Sequence, residues 1–82
     1  MPHYVYVIKS EKTHALYKGM STDVKLRLQQ HNLKKVKSTK HGAPWKLVYH
    51  ESYESIEEAR GREKYLKTAA GRRFLKNKLE SW

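Results

Sequence analysis

The sequence contains no cysteine, a single aspartate and no long run of apolar residues. Without cysteine there can be no disulfide framework, and zinc sites that require thiolate ligands are excluded. The N-terminus lacks a basic segment followed by a long apolar stretch, and no apolar run reaches the length that crosses a bilayer. We therefore expect a soluble, cytoplasmic protein with no membrane partner.

Several common catalytic arrangements are also missing. The five histidines show no His-x-x-x-His spacing, and no pair of carboxylates has the spacing of a glycosidase or of a two-metal nuclease. There is no glycine-rich phosphate loop and no serine-nucleophile elbow. If a metal is used, Glu63 is the plausible protein ligand. One carboxylate completed by water and substrate phosphate suits a single Mg²⁺ ion.

Positive charge, by contrast, is abundant. The 82 residues include 18 Lys+Arg against 8 Asp+Glu, which gives a formal net charge of +10. Because neutralising phosphates releases condensed counterions, this surplus on a short chain predicts a polyanionic partner, and nucleic acid is favoured. A basic surface that only keeps the protein soluble, or a basic protein–protein adaptor, are the alternatives.

The residue pattern predicts one α+β domain over residues 1–82, with the order β-β-α-β-α-α and helices packed on a three-stranded sheet. A short polar loop joins the first two strands, so they are expected to be antiparallel. Ser21, Thr22 and Asp23 are the candidate caps of the first helix, with Asp23 in a capping or first-turn role, and Ser55 is expected to cap the second. The predicted strands cover residues 4–8, 15–19 and 45–50, and the predicted helices cover 23–33, 55–67 and 72–79. We expect a monomer.

The second predicted helix carries a carboxylate within its apolar stripe. At 3.6 residues per turn, Glu63 lies in the middle of this stripe, where burying an unpaired charge is costly. Glu63 therefore either binds a metal or pairs with a cation such as Arg27 or Arg60, and the residues alone leave both open. The stripe consists of Ile56, Ala59, Leu66 and Ala70.

The first predicted helix places Arg27 and His31 beside the apolar Val24 and Leu28. One possibility is that the aliphatic part of the Arg27 side chain packs on the sheet while its guanidinium group remains in water. The other is that the guanidinium group binds phosphate through two hydrogen bonds. His31 is either a hydrogen-bonded core histidine or a catalytic base, since histidine titrates near neutral pH.

Taken in order, Tyr4-Val5-Tyr6, Tyr17-Lys18-Gly19, Arg27, His31 and Glu63 resemble the motifs of the GIY-YIG nuclease superfamily. The whole chain is similar to the small stand-alone, YhbQ-like bacterial branch, including the segments 39–45 and 62–67. It departs from the motifs at two positions, and Met20 follows Gly19 where some members of the superfamily carry a lysine or tyrosine near the substrate. Tyr4 stands where the first glycine is usual, and Lys18 replaces the middle isoleucine, so that its ammonium group has to reach solvent if the position is covered.

This resemblance implies a three-stranded antiparallel sheet flanked by helices, and phosphodiester cleavage assisted by one divalent ion, Mg²⁺ or Mn²⁺. It implies that Tyr6 and Tyr17 are the two motif tyrosines and that Arg27 binds phosphate. Glu63 would bind the metal, and His31 occupies a position that lines the site.

The predicted function is metal-dependent hydrolysis of nucleic acid, DNA rather than RNA, in repair or structure-selective processing. Tyr17, Tyr6 or His31 would orient or deprotonate the attacking water, and the sequence does not choose between them. The alternative function is a non-catalytic, basic nucleic-acid-binding module that keeps the nuclease fold. The predicted contacts with nucleic acid are Lys34, Lys35, Lys37, Lys40, Arg60, Arg72 and Arg73.

Overall fold

The computed structural model of the chain describes residues 1–80, and within them it contains the predicted α+β fold. The last two residues of the expected domain, Ser81 and Trp82, lie outside the described part. The elements are β1 (His3–Ser10), β2 (Leu16–Ser21), α1 (Val24–Asn32), β3 (Trp45–Tyr53), α2 (Ile56–Leu66) and α3 (Ala69–Glu80). This order confirms the predicted β-β-α-β-α-α arrangement. No helix within residues 1–80 is long and apolar enough to cross a membrane.

The three strands form one antiparallel sheet in the order β2-β1-β3, so β1 is central. The segment from Val5 to Ile8 is completely or almost completely buried, as expected of a strand covered on both faces. In the register of the first hairpin, Tyr6 lies opposite Gly19 and Ile8 lies opposite Tyr17.

Successive residues of β1 point to opposite faces of the sheet and belong to two different cores. Val5 and Val7 pack against the layer formed by α2 and α3, while Tyr6 and Ile8 pack on the side of α1. The first core also contains Ala59, Leu66 and Leu75, and the second contains Trp45 with partly buried Tyr17, Val24, Leu28 and Ala43. The motif tyrosines therefore share the α1 face.

Side-chain caps begin two of the helices at the predicted positions. The Leu26 amide donates to Asp23 Oδ1 at 3.0 Å, and the Glu58 amide donates to Ser55 Oγ at 3.2 Å. The end of α1 has Lys34 in the left-handed region, with φ of 63°. The Lys34 and Lys35 amides donate back to the carbonyl groups of His31 and Gln30, which satisfies the open end of the helix without a glycine.

Two predicted boundaries differ most from the structure. The third strand continues to Tyr53, and α3 begins at Ala69 rather than after Gly71. The helix begins early because Thr68 Oγ1 accepts the Gly71 amide at 3.1 Å, as an N-cap does. The predicted apolar stripe is consequently also wrong at its ends. Ala70 belongs to another helix and is exposed, and Ile56 is 39% exposed in the first turn of α2.

The junction of α2 and α3 leads to a stability prediction. A Cβ atom on Gly71 would lie 2.1 Å from the Tyr65 carbonyl oxygen and 2.5 Å from Leu66 Cα. Gly71→Ala should therefore destabilise the protein by about 2–3 kcal/mol, as overpacking of fixed backbone does. Urea unfolding followed by circular dichroism measures this difference.

Gly61→Ala is the matched control, because a Cβ atom there meets nothing within 4 Å in the middle of α2. It should stabilise the protein by about 0.5–1 kcal/mol through helix propensity. Equal effects of the two substitutions would show that the helix junction does not require glycine.

Candidate active site

The two motif tyrosines extend from neighbouring strands on the face covered by α1. Tyr6 is in β1, and Gly19 lies directly opposite it in β2. A Cβ atom on Gly19 would lie only 2.6 Å from the Tyr6 hydroxyl oxygen. The glycine of the Tyr17-Lys18-Gly19 sequence therefore makes room for the phenol ring of the other motif tyrosine.

The Tyr6 hydroxyl is bonded to a buried histidine of α1. Tyr6 is 1% exposed and His31 is 0% exposed, and the Tyr6 hydroxyl oxygen lies 2.9 Å from His31 Nε2. The Tyr17 ring packs edge-on against the same imidazole, with centroids 5.1 Å apart. The structure thus brings together three of the five predicted catalytic residues in one contact group.

The second nitrogen of the imidazole is bonded to a residue that sequence reasoning missed as part of the site. His31 Nδ1 lies 2.7 Å from Thr39 Oγ1, and Thr39 is 1% exposed. The Thr39 carbonyl accepts the Trp45 indole N–H at 2.8 Å. Both ring nitrogens of His31 are therefore occupied, and the available sequence signal was that Thr39 begins the segment 39–45 that resembles the family branch.

Electrostatics keeps the buried pair neutral. Burial raises the pKa of the Tyr6 phenol, although a hydrogen bond from Arg27 acts in the opposite direction. Burial, and after it the positive charge of Arg27, lower the pKa of His31. At neutral pH Tyr6 is therefore protonated and His31 uncharged, which allows the phenol to donate to Nε2.

Arg27 lies beside this pair with most of its donors uncommitted. It is partly buried, and its Nη1 donates to Gln30 Oε1 at 2.9 Å. Within residues 1–80 no carboxylate forms a salt bridge with it. A guanidinium group held in this way retains donors in the fork geometry that matches phosphate oxygens.

Glu63 is paired differently from the sequence expectation. Its carboxylate, 20% exposed, lies 3.7 Å from Lys67 Nζ, one helical turn away, so the salt-bridge partner is Lys67 and not Arg27 or Arg60, the two cations considered from the sequence. A pair with such an exposed lysine contributes little to stability. The charge of Glu63 also acts to raise the pKa of Tyr6, which places the carboxylate near the tyrosine site.

The residues fit a metal ion only if other ligands complete its shell. Within residues 1–80 no group of three or more His, Cys, Asp or Glu side chains is arranged to hold a metal. Glu63 supplies one accessible carboxylate. This donor set suits an ion such as Mg²⁺, which retains several waters and binds through one or two carboxylates and substrate phosphates.

Lys18, the unusual residue of the second motif, lies on the other face of the sheet. It is paired with Val7 in the strand register and is partly buried. Burial is the main cause that lowers its pKa, followed by the positive charges of Arg72 and Lys67. The lysine is therefore accommodated in the α2–α3 layer, and it does not place a charge on the face of the tyrosines.

The predicted nucleic-acid contacts are all exposed, and several lie in a segment that is anchored from within. Residues 33–44 join α1 to β3. Ser10 Oγ donates to the Gly42 carbonyl at 2.6 Å, and Asn32 Nδ2 donates to the Trp45 carbonyl at 3.0 Å. The buried Thr39 completes this anchoring. The exposed cations are Lys34, Lys35, Lys37, Lys40, Arg60, Arg72 and Arg73, and their binding role stays a prediction.

Glu51 is a second carboxylate that sequence reasoning missed. It accepts hydrogen bonds from Tyr49 and Tyr53, and from Arg62 Nε and Nη2 at 2.9 and 3.1 Å. The Arg62 guanidinium lies 4.7 Å from the centroid of the Phe74 ring. The period of two in a strand, which places residues 49, 51 and 53 on one face, was the available signal. Glu51 joins β3 to α2 and has no oxygen to spare for a metal.

Glu51 gives a pH prediction. Its burial acts to raise its pKa, but hydrogen bonds from Arg62, Tyr49 and Tyr53 outweigh this and lower the pKa below 4.5. A pKa depressed by folding contributes stability above the unfolded value, and this contribution is lost as the pH falls through the folded value. Acid should therefore destabilise the protein below pH 4.5, and Glu51→Gln should reduce that dependence.

At neutral pH, Glu51→Gln should also cost about 2 kcal/mol, because hydrogen bonds to a charged group are worth about 1.5–3 kcal/mol. Urea unfolding at a series of pH values measures both effects. The exposed Glu54, changed to Gln, is the matched control. A Glu51→Gln protein with the pH dependence of the unchanged protein would contradict the role given to this network.

These features agree with comparisons to known proteins. The family model of the GIY-YIG catalytic domain matches residues 2–78, so the chain belongs to the GIY-YIG family, a nuclease superfamily whose members generally use divalent metal ions on nucleic acid. Within that family it is similar to the UPF0213 proteins, small relatives of the predicted YhbQ-like branch.

Three of these relatives show the extent of the similarity. A UPF0213 protein of Staphylococcus haemolyticus is 43% identical over 75 residues, which is 90% of each chain. One from Staphylococcus aureus is 39% identical over the same length and coverage. The solution NMR structure of a UPF0213 protein from Bacillus halodurans has a TM-score of 0.57 and 31% identity, covering 94% of this chain and 84% of that one. Their names state no activity.

Proposed function

We propose that the protein is a metal-dependent endonuclease that hydrolyses DNA phosphodiester bonds with Tyr17, Arg27 and Glu63, in DNA repair or structure-selective processing. One observation carries the proposal: Tyr6 and Tyr17 meet at the buried His31, and the opposite charges of Arg27 and Glu63 both act on the Tyr6 phenol. A cation suited to phosphate and a carboxylate suited to a metal therefore lie around one pair of tyrosines.

Arg27 is the phosphate-binding residue. Its guanidinium group bonds Gln30 within the same helix and lies next to Tyr6, so its orientation is fixed before substrate arrives. A donor group that needs no reorganisation stabilises the negative charge that grows on the non-bridging oxygens.

Glu63 is the protein ligand of one divalent ion, Mg²⁺ or Mn²⁺. When bound, the ion supplies Lewis acidity toward the phosphate and the leaving oxygen. The weak contact of Glu63 with Lys67 at 3.7 Å is easily exchanged for a stronger ligand. Lys67 is then free to meet a phosphate of the substrate.

Tyr17 is the residue that orients the attacking water. It is partly buried, its ring contacts His31 and Trp45, and its hydroxyl makes no hydrogen bond to another group of residues 1–80. Tyr6 and His31 are bonded to each other and completely or almost completely buried. Their contribution is to hold Tyr17 and Arg27 in place, while the Tyr17 hydroxyl contacts water.

A cleavage assay tests this assignment. Arg27→Ala and Glu63→Ala should each slow metal-dependent cleavage of DNA by about a hundredfold or more, the usual effect of removing one preorganised charge-stabilising group. Arg27→Lys should recover only part of the rate, because an ammonium group lacks the fork. The substrates are duplex, nicked, branched and single-stranded DNA, with RNA for comparison.

Glu57 provides the matched control, because it is exposed and lies in the first turn of α2, the helix that contains Glu63. Glu57→Ala should leave the rate within about twofold, since a surface substitution changes little. Cleavage that persists undiminished in both Arg27→Ala and Glu63→Ala would refute the proposed active site.

A second candidate function is a binding module without catalysis. The observation that favours it is the anchored segment 33–44, which presents four lysines on a fixed backbone. Such a module binds nucleic acid with strong salt dependence, is insensitive to Glu63 and metal, and yields no product on any of these substrates.

The lysine segment makes a prediction common to both functions. Lys37→Ala and Lys40→Ala should each reduce the slope of log K against log salt by about 0.9 on duplex DNA, or about 0.7 on single strands, for each phosphate that the protein no longer neutralises. Fluorescence anisotropy at several salt concentrations measures the slope. Lys76→Ala, a substitution at an exposed lysine of α3 outside the predicted binding surface, should leave it unchanged. An unchanged slope in the segment variants would place the binding surface elsewhere.

A further inference from the structure

Four buried or partly buried groups form one chain of hydrogen bonds that passes from the site into the lysine segment. The Tyr6 hydroxyl lies 2.9 Å from His31 Nε2, His31 Nδ1 lies 2.7 Å from Thr39 Oγ1, and Thr39 Oγ1 donates to the Val36 carbonyl at 3.4 Å. Within residues 1–80 no buried side-chain nitrogen or oxygen lacks a partner.

The two ends of this chain determine the direction of every proton in it. The Val36 carbonyl can only accept, so the Thr39 hydroxyl donates to it and is an acceptor toward Nδ1. At the other end, the positive charge of Arg27 acts on the Tyr6 phenol, so a phenol proton turned toward the guanidinium is unfavourable and the proton points to Nε2, 2.9 Å away. Both conditions require the imidazole to carry its proton on Nδ1.

The opposite tautomer breaks both ends. With the proton on Nε2, the imidazole donates to the Tyr6 oxygen, and the phenol proton has to turn toward the positively charged Arg27. Thr39 then has to donate to Nδ1 and give up its hydroxyl bond to the Val36 carbonyl, which keeps the Thr39 amide as a donor at 3.1 Å. The lost hydroxyl bond and the phenol proton turned toward a cation both disfavour this tautomer, so the Nδ1–H form is favoured.

We propose that Thr39 is a positioning residue: by accepting from Nδ1 it holds His31 in the Nδ1–H tautomer, and His31 in turn keeps the Tyr6 oxygen an acceptor for Arg27. The hydroxyl of a residue in the lysine segment thereby orients the phosphate-binding guanidinium of α1. The effect on cleavage rests on the proposed nuclease function, whereas the effect on the tautomer does not.

The position of Thr39 gives this chain a second consequence. Thr39 lies between Lys37 and Lys40, and its carbonyl accepts the Trp45 indole at 2.8 Å. The same residue therefore fixes the path of the lysines and the proton position on His31. Hydrogen bonds, and not apolar packing alone, therefore fix the lysines of the segment relative to Arg27. The phosphates that these lysines bind and the phosphate that Arg27 binds are then held in fixed relative positions.

The test is the nitrogen-15 NMR spectrum of the His31 ring in the full chain, in which the two ring nitrogens of each neutral tautomer have distinct shifts. The unchanged protein and Thr39→Ser should both show the Nδ1–H form. Thr39→Val, which keeps the shape and loses the acceptor, should shift the tautomer ratio toward Nε2–H by about fivefold to tenfold, the effect of removing one hydrogen bond. Thr39→Ala gives the same readout if the valine variant does not fold.

Thr13→Val is the matched control, because Thr13 lies in the exposed hairpin turn and its hydroxyl bonds only the Ala15 amide. It should leave the His31 spectrum unchanged. Wild-type protein in the Nε2–H form, or an unchanged tautomer ratio in Thr39→Val and Thr39→Ala, would overturn the role of Thr39.

Cleavage provides the second readout. Thr39→Val should lower kcat about tenfold with KM within about twofold, since the lysines still bind phosphate while Arg27 loses its orientation, and Thr39→Ser should restore kcat. Failure of the two proposals is distinguishable. A protein that cleaves nothing refutes the nuclease function, while the His31 spectrum still decides the role of Thr39.

Discussion

The hydrogen bond between the Tyr6 hydroxyl and His31 Nε2 is the constraint on which the α1 face of the molecule depends. Both side chains are completely or almost completely buried, and a buried polar group without a partner costs about 1–3 kcal/mol. Both ring nitrogens of a buried histidine need hydrogen-bond partners, so the segment that follows α1 has to supply a hydroxyl group to His31 Nδ1. Thr39 meets this need. The irregular segment between α1 and β3 is consequently fixed by its buried side, although its lysines face solvent.

Because successive strand residues point to opposite faces, the two faces of the sheet carry different sets of contacts. Tyr6 and Tyr17 face α1, where they contact the buried His31. Val7 and Lys18 face the α2–α3 layer, where apolar packing and the Glu51–Arg62 network hold the helices on the sheet. The second layer also serves the first, because Arg62 precedes Glu63 in α2. Because Arg62 makes two hydrogen bonds to Glu51 of β3, α2 cannot rotate freely about its axis. This limits the directions in which the neighbouring Glu63 carboxylate points.

Local pattern was sufficient for the order of the elements. The caps at Asp23 and Ser55 and the buried central strand follow from short-range rules, and the order of motifs indicates the family. The contacts that hold the site together do not follow from such rules. The partner of His31 depends on the course of an irregular segment whose turn at Lys34 has no glycine to mark it. Glu63 pairs with Lys67 within its own helix rather than across the fold, because a pair one turn apart needs no tertiary geometry.

In the proposed active site one carboxylate, Glu63, serves as the metal ligand, and the charge distribution bears on how it binds the ion. Of the carboxylates discussed, Glu51 is saturated by Arg62 and two tyrosines, and Asp23 and Glu58 interact with helix N-termini. A formal net charge of +10 surrounds the remaining site carboxylate, which disfavours the binding of a divalent cation to the free protein. Phosphates of a bound nucleic acid neutralise that field and add oxygen ligands. The electrostatics therefore favours a site in which substrate and metal bind together, with the protein contributing orientation through the Tyr6–His31–Thr39 chain.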